Sequence, residues 1–156
     1  SSDVCSSDLV HRRDFASYPG TVIMPVMLDS CVYLDIFTRD KHWYAWSSEA
    51  LSSAANKGTI VINPIIYAEI SIRFERIEEL EQVLPPDVFD YRPISREAAF
   101  LAGKIFLKYR TRGGAKIFPL PDFFIGAHAA IENLLLITRD AKRFKTYFPC
   151  LNILSP

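Results

Sequence analysis

Charge of one sign is what this sequence lacks: 18 Lys and Arg stand against 18 Asp and Glu, a formal net charge of zero. That balance excludes a protein that holds nucleic acid by overall basicity, though it leaves room for a local basic strip. Long apolar runs are missing too. No stretch reaches the length of a membrane span and no signal peptide is recognisable, so no membrane association is expected and the expected location is the cytoplasm. Cysteine is scarce. Cys5, Cys31 and Cys150 are odd in number and lack metal-ligand spacing, which reads as free thiols of a reducing compartment. No internal repeat and no second domain are visible, and the first residue is not Met. Ser1 to Gly20 is polar and nearly repeats itself (Ser1-Ser2-Asp3, then Ser6-Ser7-Asp8). Residues 1–20 are therefore expected to be a non-native or disordered leader, with Met24 as the native start.

What is present is a globular composition. With 49% hydrophobic residues, residues 21–156 are expected to form one domain with a real core. Pro25 to Leu28, Thr59 to Ile62, Phe89 to Ile94, Leu134 to Thr138 and Leu151 to Leu154 read as strands, the second short and β-branched as in a strand buried on both faces. Helices are expected at Cys31–Phe37 with Ser30 as cap, Trp43–Asn56, Ile65–Phe74 behind Pro64, and Glu75–Leu84 stopped by Pro85-Pro86. Another starts at the Ser95 cap and runs to Gly113-Gly114. The last two begin at Asp122 and span Ala141–Phe148. Alternating strands and helices predict an α/β fold with a parallel sheet covered on both faces.

Four carboxylates stand out on this frame. Asp29 and Asp140 follow core strands directly, where a solvated side chain has less room. Glu69 lies in an apolar helix among Ile65, Ile66, Ala68 and Ile70. Asp122 starts the apolar helix Phe123-Phe124-Ile125, where serving the helix N-terminus is an equal alternative. Asp35, Asp40, Glu79, Glu81 and Asp90 read as ordinary solvated acids. Strand carboxyl ends border the ligand crevice of an open α/β sheet. Acids converging there repel one another unless protonated or metal-bound. Oxygen-only ligation suits Mg²⁺ or Mn²⁺, one ion or two, and such ions can activate water against a phosphodiester. Hydrolysis of a phosphodiester is the chemistry these residue types allow.

The chain also resembles the PIN-domain ribonucleases, especially the VapC-like toxins of toxin–antitoxin pairs. The resemblance runs from Met24 to Pro156. It rests on Leu28-Asp29-Ser30, Tyr67-Ala68-Glu69-Ile70, Pro121-Asp122-Phe123-Phe124-Ile125-Gly126-Ala127-His128-Ala129 and Leu136-Ile137-Thr138-Arg139-Asp140, then Arg143-Phe144 and Tyr147-Phe148-Pro149. It implies a PIN-like three-layer α/β/α sandwich around a mostly parallel sheet of about five strands. It also implies a metal-dependent endoribonuclease, a homodimer, and an antitoxin partner that blocks the site. Asp29, Glu69, Asp122 and Asp140 match the family's acidic metal-binding residues. Ser30 and Thr138 sit where the family often has a hydroxyl and are expected to support the acids by hydrogen bonds. Cys31 departs from the Asn or Ser of many relatives, and a thiol is a poorer hydrogen bonder. Alternative readings are a non-cleaving PIN-like binding subunit of a DNA-binding or regulatory complex, which is a different class of function, and a DNA-directed nuclease of the same fold.

On the substrate side, Lys104, Lys108, Arg110, Arg112 and Lys116 form a basic run with no acid between Glu97 and Asp122. Lys104 and Lys108 read as a solvated helix face, whereas Arg112 and Lys116 read as RNA-phosphate contacts beside Gly113-Gly114. Arg139 is a further phosphate candidate, with pairing to a nearby acid as its alternative. His128 reads as a packed histidine, because the metal chemistry needs no base there. The Trp43 and Trp46 stripe reads as core, and the helices around Ile65–Phe74 and Phe100–Tyr109 are the expected dimer contact.

Overall fold

The computed structural model of the protein describes residues 24–156; the leader expected at residues 1–20 lies outside them, as does Cys5. Along the chain come β1 (Val26–Leu28), α1 (Ser30–Thr38), α2 (Tyr44–Lys57), β2 (Ile60–Ile62), α3 (Pro64–Ser71) and α4 (Ile77–Val83). They are followed by β3 (Phe89–Tyr91), α5 (Arg96–Thr111), α6 (Pro121–Ile131), β4 (Leu135–Ile137), α7 (Ala141–Tyr147) and β5 (Ile153–Leu154). All five strands pair in parallel, in the order β3-β2-β1-β4-β5. Right-handed crossovers then put α1 to α4 on one face and α5 to α7 on the other. Helix contacts agree, with α1 against α2 and α3, and α5 against α6. This is the α/β/α sandwich expected from the alternation of strands and helices.

Burial explains why the central strands are so apolar. Every residue of β1 and β2 is buried, and Met27, Leu28, Ile60 and Val61 are fully so. Burying a side chain of this size contributes about 1.5–3 kcal/mol relative to leaving it exposed. Helix starts follow local chemistry. Asn63 caps α3 by accepting from Ile66 N at 2.9 Å, with Pro64 in the first turn. Ser95 caps α5 by accepting from Ala98 N at 3.1 Å. Gly126 is needed for packing, since a Cβ there would run into the Phe148 ring.

A buried polar chain joins the two faces. Asn63 Oδ1 is committed to the cap, so its Nδ2 donates to His128 Nδ1 at 3.2 Å. His128 Nε2 must then carry hydrogen, and it donates to Glu132 Oε1 at 3.0 Å. Glu132 Oε2 pairs with Arg92 at 2.7 Å, and Arg92 with Asp90 at 2.6 Å. His128 is fully buried, as a packed histidine should be.

Two expectations change. Cys31 is a free thiol, but Cys150 is disulfide-bonded. An odd count guarantees one unpaired thiol and does not exclude a bond. Asp35 is not solvated: it is 3% exposed, and it accepts from Ser47 Oγ at 2.8 Å. Among the described residues no helix is long and apolar enough to cross a membrane.

Candidate metal-binding active site

The strand order reverses at β1 and β4, and the crevice at their carboxyl ends is where an open α/β sheet binds ligands. Asp29 leaves β1 at that edge, with its backbone N–H still bonded to Ile137 O of β4 at 2.9 Å. It occupies the cap position of α1, yet its side chain makes no capping bond. The carboxylate turns instead to β4's exit, where Thr138 Oγ1 donates to Oδ2 at 2.8 Å. Cys31 Sγ donates to the same oxygen at 3.3 Å, and Ser30 Oγ to Oδ1 at 3.4 Å. Helix α1 thus begins at Ser30, and Ser30 supports the acid rather than capping. The Cys31 thiol does reach Asp29. Burial first, then the Asp29 charge, pushes it up to about 11, so it stays a protonated donor.

The other three acids arrive on helices. Glu69, in α3, is half-buried, and its Oε2 is buried without any hydrogen-bond partner. Burial, and next the Asp29 charge, pushes Glu69 above the usual carboxylate range against the pull of Ser30. Asp122 sits in the first turn of α6. Burial lifts it from 3.8 to about 6, with Asp29, Glu69 and Asp140 pushing up and Arg143 pulling down. These couplings bring the four acids of the sequence reading into one electrostatic cluster.

Asp140 departs from expectation. Its side chain is 54% exposed, and Oδ1 caps α7 by accepting from Arg143 N at 3.2 Å. The strand ends at Ile137, so the intervening Thr138 and Arg139 carry the chain out to solvent. Thr138 Oγ1 accepts from Asp140 N at 3.1 Å while donating to Asp29, and so links the two acids. One site residue had no signal in the sequence beyond its place in a motif. Arg143 Nε lies 2.7 Å from Asp122 Oδ2, and its Nη1 lies 3.9 Å from Asp140 Oδ2. A seven-residue helix with a solvated arginine gives no hint of which acids that arginine faces.

Of the phosphate candidates, Arg139 pairs with Asp35 at 3.0 Å and lies 5.5 Å from the centre of the Trp43 ring. Arg112 and Lys116 are exposed on the loop after α5, with no ion pair to the four acids. That loop is held by Arg110, which donates to Gly114 O at 3.0 Å and Lys116 O at 2.9 Å. Gly113 takes φ +87°, and a Cβ on Gly114 would meet the Tyr109 ring, so both glycines have local reasons.

The donor set suits a hard divalent cation: all oxygen, part-buried, with an orphaned oxygen on Glu69 and an Asp122 carboxyl raised by burial and then by the other acids. The arrangement is not yet closed around one. Among the described residues no three His, Cys, Asp or Glu stand close enough to hold a metal, and Arg143 lies between two of the acids. Asp29, Glu69, Asp122 and Asp140 are the oxygen donors on which such a cation would depend.

A parallel five-stranded sandwich with acids at its switch point defines an α/β domain whose ligand crevice is acidic. The PIN domain model matches residues 26–148, and the chain belongs to that family, a family of nucleases. Solved structures share the fold. A chain of VapBC2 from Rickettsia felis bound to promoter DNA matches with TM-score 0.62 and 23% identity, covering 85% of this chain and 99% of that one. VapBC-1 from nontypeable Haemophilus influenzae gives 0.61 and 21%, covering 85% and 98%. A toxin–antitoxin complex from Klebsiella pneumoniae gives 0.60 and 20%, covering 84% and 97%. No curated protein matches the chain.

Proposed function

We propose that the protein is a Mg²⁺- or Mn²⁺-dependent endoribonuclease acting as the toxin of a toxin–antitoxin pair. The observation that carries the catalytic part is the acidic cluster at the β1/β4 switch point, with Glu69 Oε2 unpartnered and Asp122 lifted to about 6. Asp29, Glu69, Asp122 and Asp140 would hold a divalent cation, which would supply charge stabilisation for a phosphodiester and a more acidic water. The chain's own residues fix the geometry. Thr138, Cys31 and Ser30 hold the Asp29 carboxylate, and the α7 cap sets Asp140. Arg112, Lys116 and Arg139 serve as phosphate contacts for the RNA, the last by exchanging Asp35 for phosphate. The cytoplasm follows from this substrate alone.

The partner part rests on the toxin–antitoxin complexes that share the fold. We read an antitoxin as blocking the site and a second copy as packing on α3 and α5, where Ile72, Phe100 and Leu107 are exposed. The test is cleavage of RNA and of branched DNA with Mg²⁺ or Mn²⁺, using wild type and the Asp29→Ala and Asp122→Ala variants. Metal-dependent RNA cleavage lost in both variants, with circular dichroism unchanged, is expected. Full activity in both variants would refute the site. One observation favours a second reading, a non-cleaving binding subunit: among the described residues no three acids form a metal-holding group. Absence of Mn²⁺ binding at millimolar concentration would select it.

A further inference from the structure

Arg143 belongs to none of the roles assigned so far, yet it is the cation nearest the cluster. Its Nε meets Asp122 Oδ2 at 2.7 Å, its Nη1 approaches Asp140 Oδ2 at 3.9 Å, and its charge also acts on Glu69. Its own backbone N–H binds Asp140 Oδ1, which holds the base of the side chain against the acids. The guanidinium is half-exposed, whereas Asp122 is mostly buried, so it reaches in from the mouth. A guanidinium and a divalent cation cannot share the same carboxylate oxygen without repulsion. Among the described residues no three His, Cys, Asp or Glu form a metal-holding group, and Arg143 pairs with both Asp122 and Asp140. Released from the acids, the planar fork remains anchored at the mouth, where an approaching phosphate offers the geometry it matches best.

We propose that Arg143 serves two partners in turn: the carboxylates of Asp122 and Asp140 while the cation seat is empty, and a non-bridging oxygen of the RNA phosphate once a divalent cation has displaced it. This rests on reading the four acids as the metal-binding set. Two readouts that move in opposite directions test it. Mn²⁺ titration by calorimetry should show Arg143→Gln binding about two- to fivefold tighter than wild type, the range expected for losing a part-exposed ion pair. Cleavage of RNA at saturating Mn²⁺ should fall at least tenfold in the same variant. Arg143→Lys, which keeps the charge without the fork, should bind Mn²⁺ within twofold of wild type and cleave at an intermediate rate. An arginine that merely supported the fold would weaken metal binding and cleavage together. Unchanged or weaker Mn²⁺ binding in Arg143→Gln overturns the proposal, and so does tighter binding with undiminished cleavage. Failure of the underlying reading looks different: wild type binds no Mn²⁺, or the binding survives Asp29→Asn and Asp122→Asn.

Discussion

Replacing Asp122 by Asn should make the metal-free protein more stable at neutral pH, although it removes an ion pair. A carboxyl held at about 6 instead of 3.8 is disfavoured as an ion by about 3 kcal/mol, at roughly 1.4 kcal/mol per tenfold change in proton affinity. The attraction of Arg143 is already contained in that value, so the net cost remains. The folded state binds the proton more tightly than the unfolded chain, so stability falls as pH rises from about 4 towards about 6. Above about 6 the loss is complete, and near pH 4 or below it disappears. Asn carries no charge at any pH and escapes it. Urea unfolding with a chelator present should therefore find Asp122→Asn about 1–3 kcal/mol more stable than wild type at pH 7.5, a gap that closes by pH 4. A gap constant across this range, or a variant less stable at pH 7.5, would refute the electrostatic account of the cluster. Saturating Mn²⁺ should reverse the order at pH 7.5, because it stabilises wild type alone.

Other consequences follow from single contacts. Thr138→Val removes the hydroxyl joining Asp29 Oδ2 to Asp140 N; Mn²⁺ affinity by calorimetry should drop about 10–100-fold, and retained affinity would deny the hydroxyl its role. Asn63→Ala takes the α3 cap and the His128 partner together; urea unfolding should show a loss of about 2–3 kcal/mol, and a loss below 0.5 kcal/mol would mean that the buried imidazole finds another partner. Gly126→Ala drives a methyl into the Phe148 ring and should lower stability by about 1–3 kcal/mol, measured by thermal melting; an unchanged melting temperature would show that Phe148 can yield.

The strands were legible because apolar and β-branched runs such as Ile60-Val61-Ile62 have few places to go except a sheet covered on both faces. Ser95 and Pro64 were legible because capping and first-turn chemistry are local. Glu69 was legible from its apolar neighbours, and Asp122 chiefly from the motif around it. Asp140 was expected to have little room for solvent, yet its side chain is exposed and caps α7, whereas Asp35, read as solvated, is buried. Asp35 escaped notice because its burial depends on Ser47 and Arg139, 12 and about a hundred positions away. Arg143 escaped for the same reason, since no pattern within α7 encodes which charges lie across the crevice. The Cys150 bond was equally unreadable, because connectivity does not follow from a count.

The cap of α3 decides which nitrogen of His128 carries hydrogen, and this ties two distant events to one rotation. A proton added at Nδ1 would face the Asn63 amide donor. Turning that amide over would satisfy the ring but withdraw the oxygen from Ile66 N and uncap the helix that holds Glu69. Amide exchange at Ile66 and the ring-nitrogen shifts of His128 should therefore change in step, so that a spectroscopic probe on one helix reports the integrity of another.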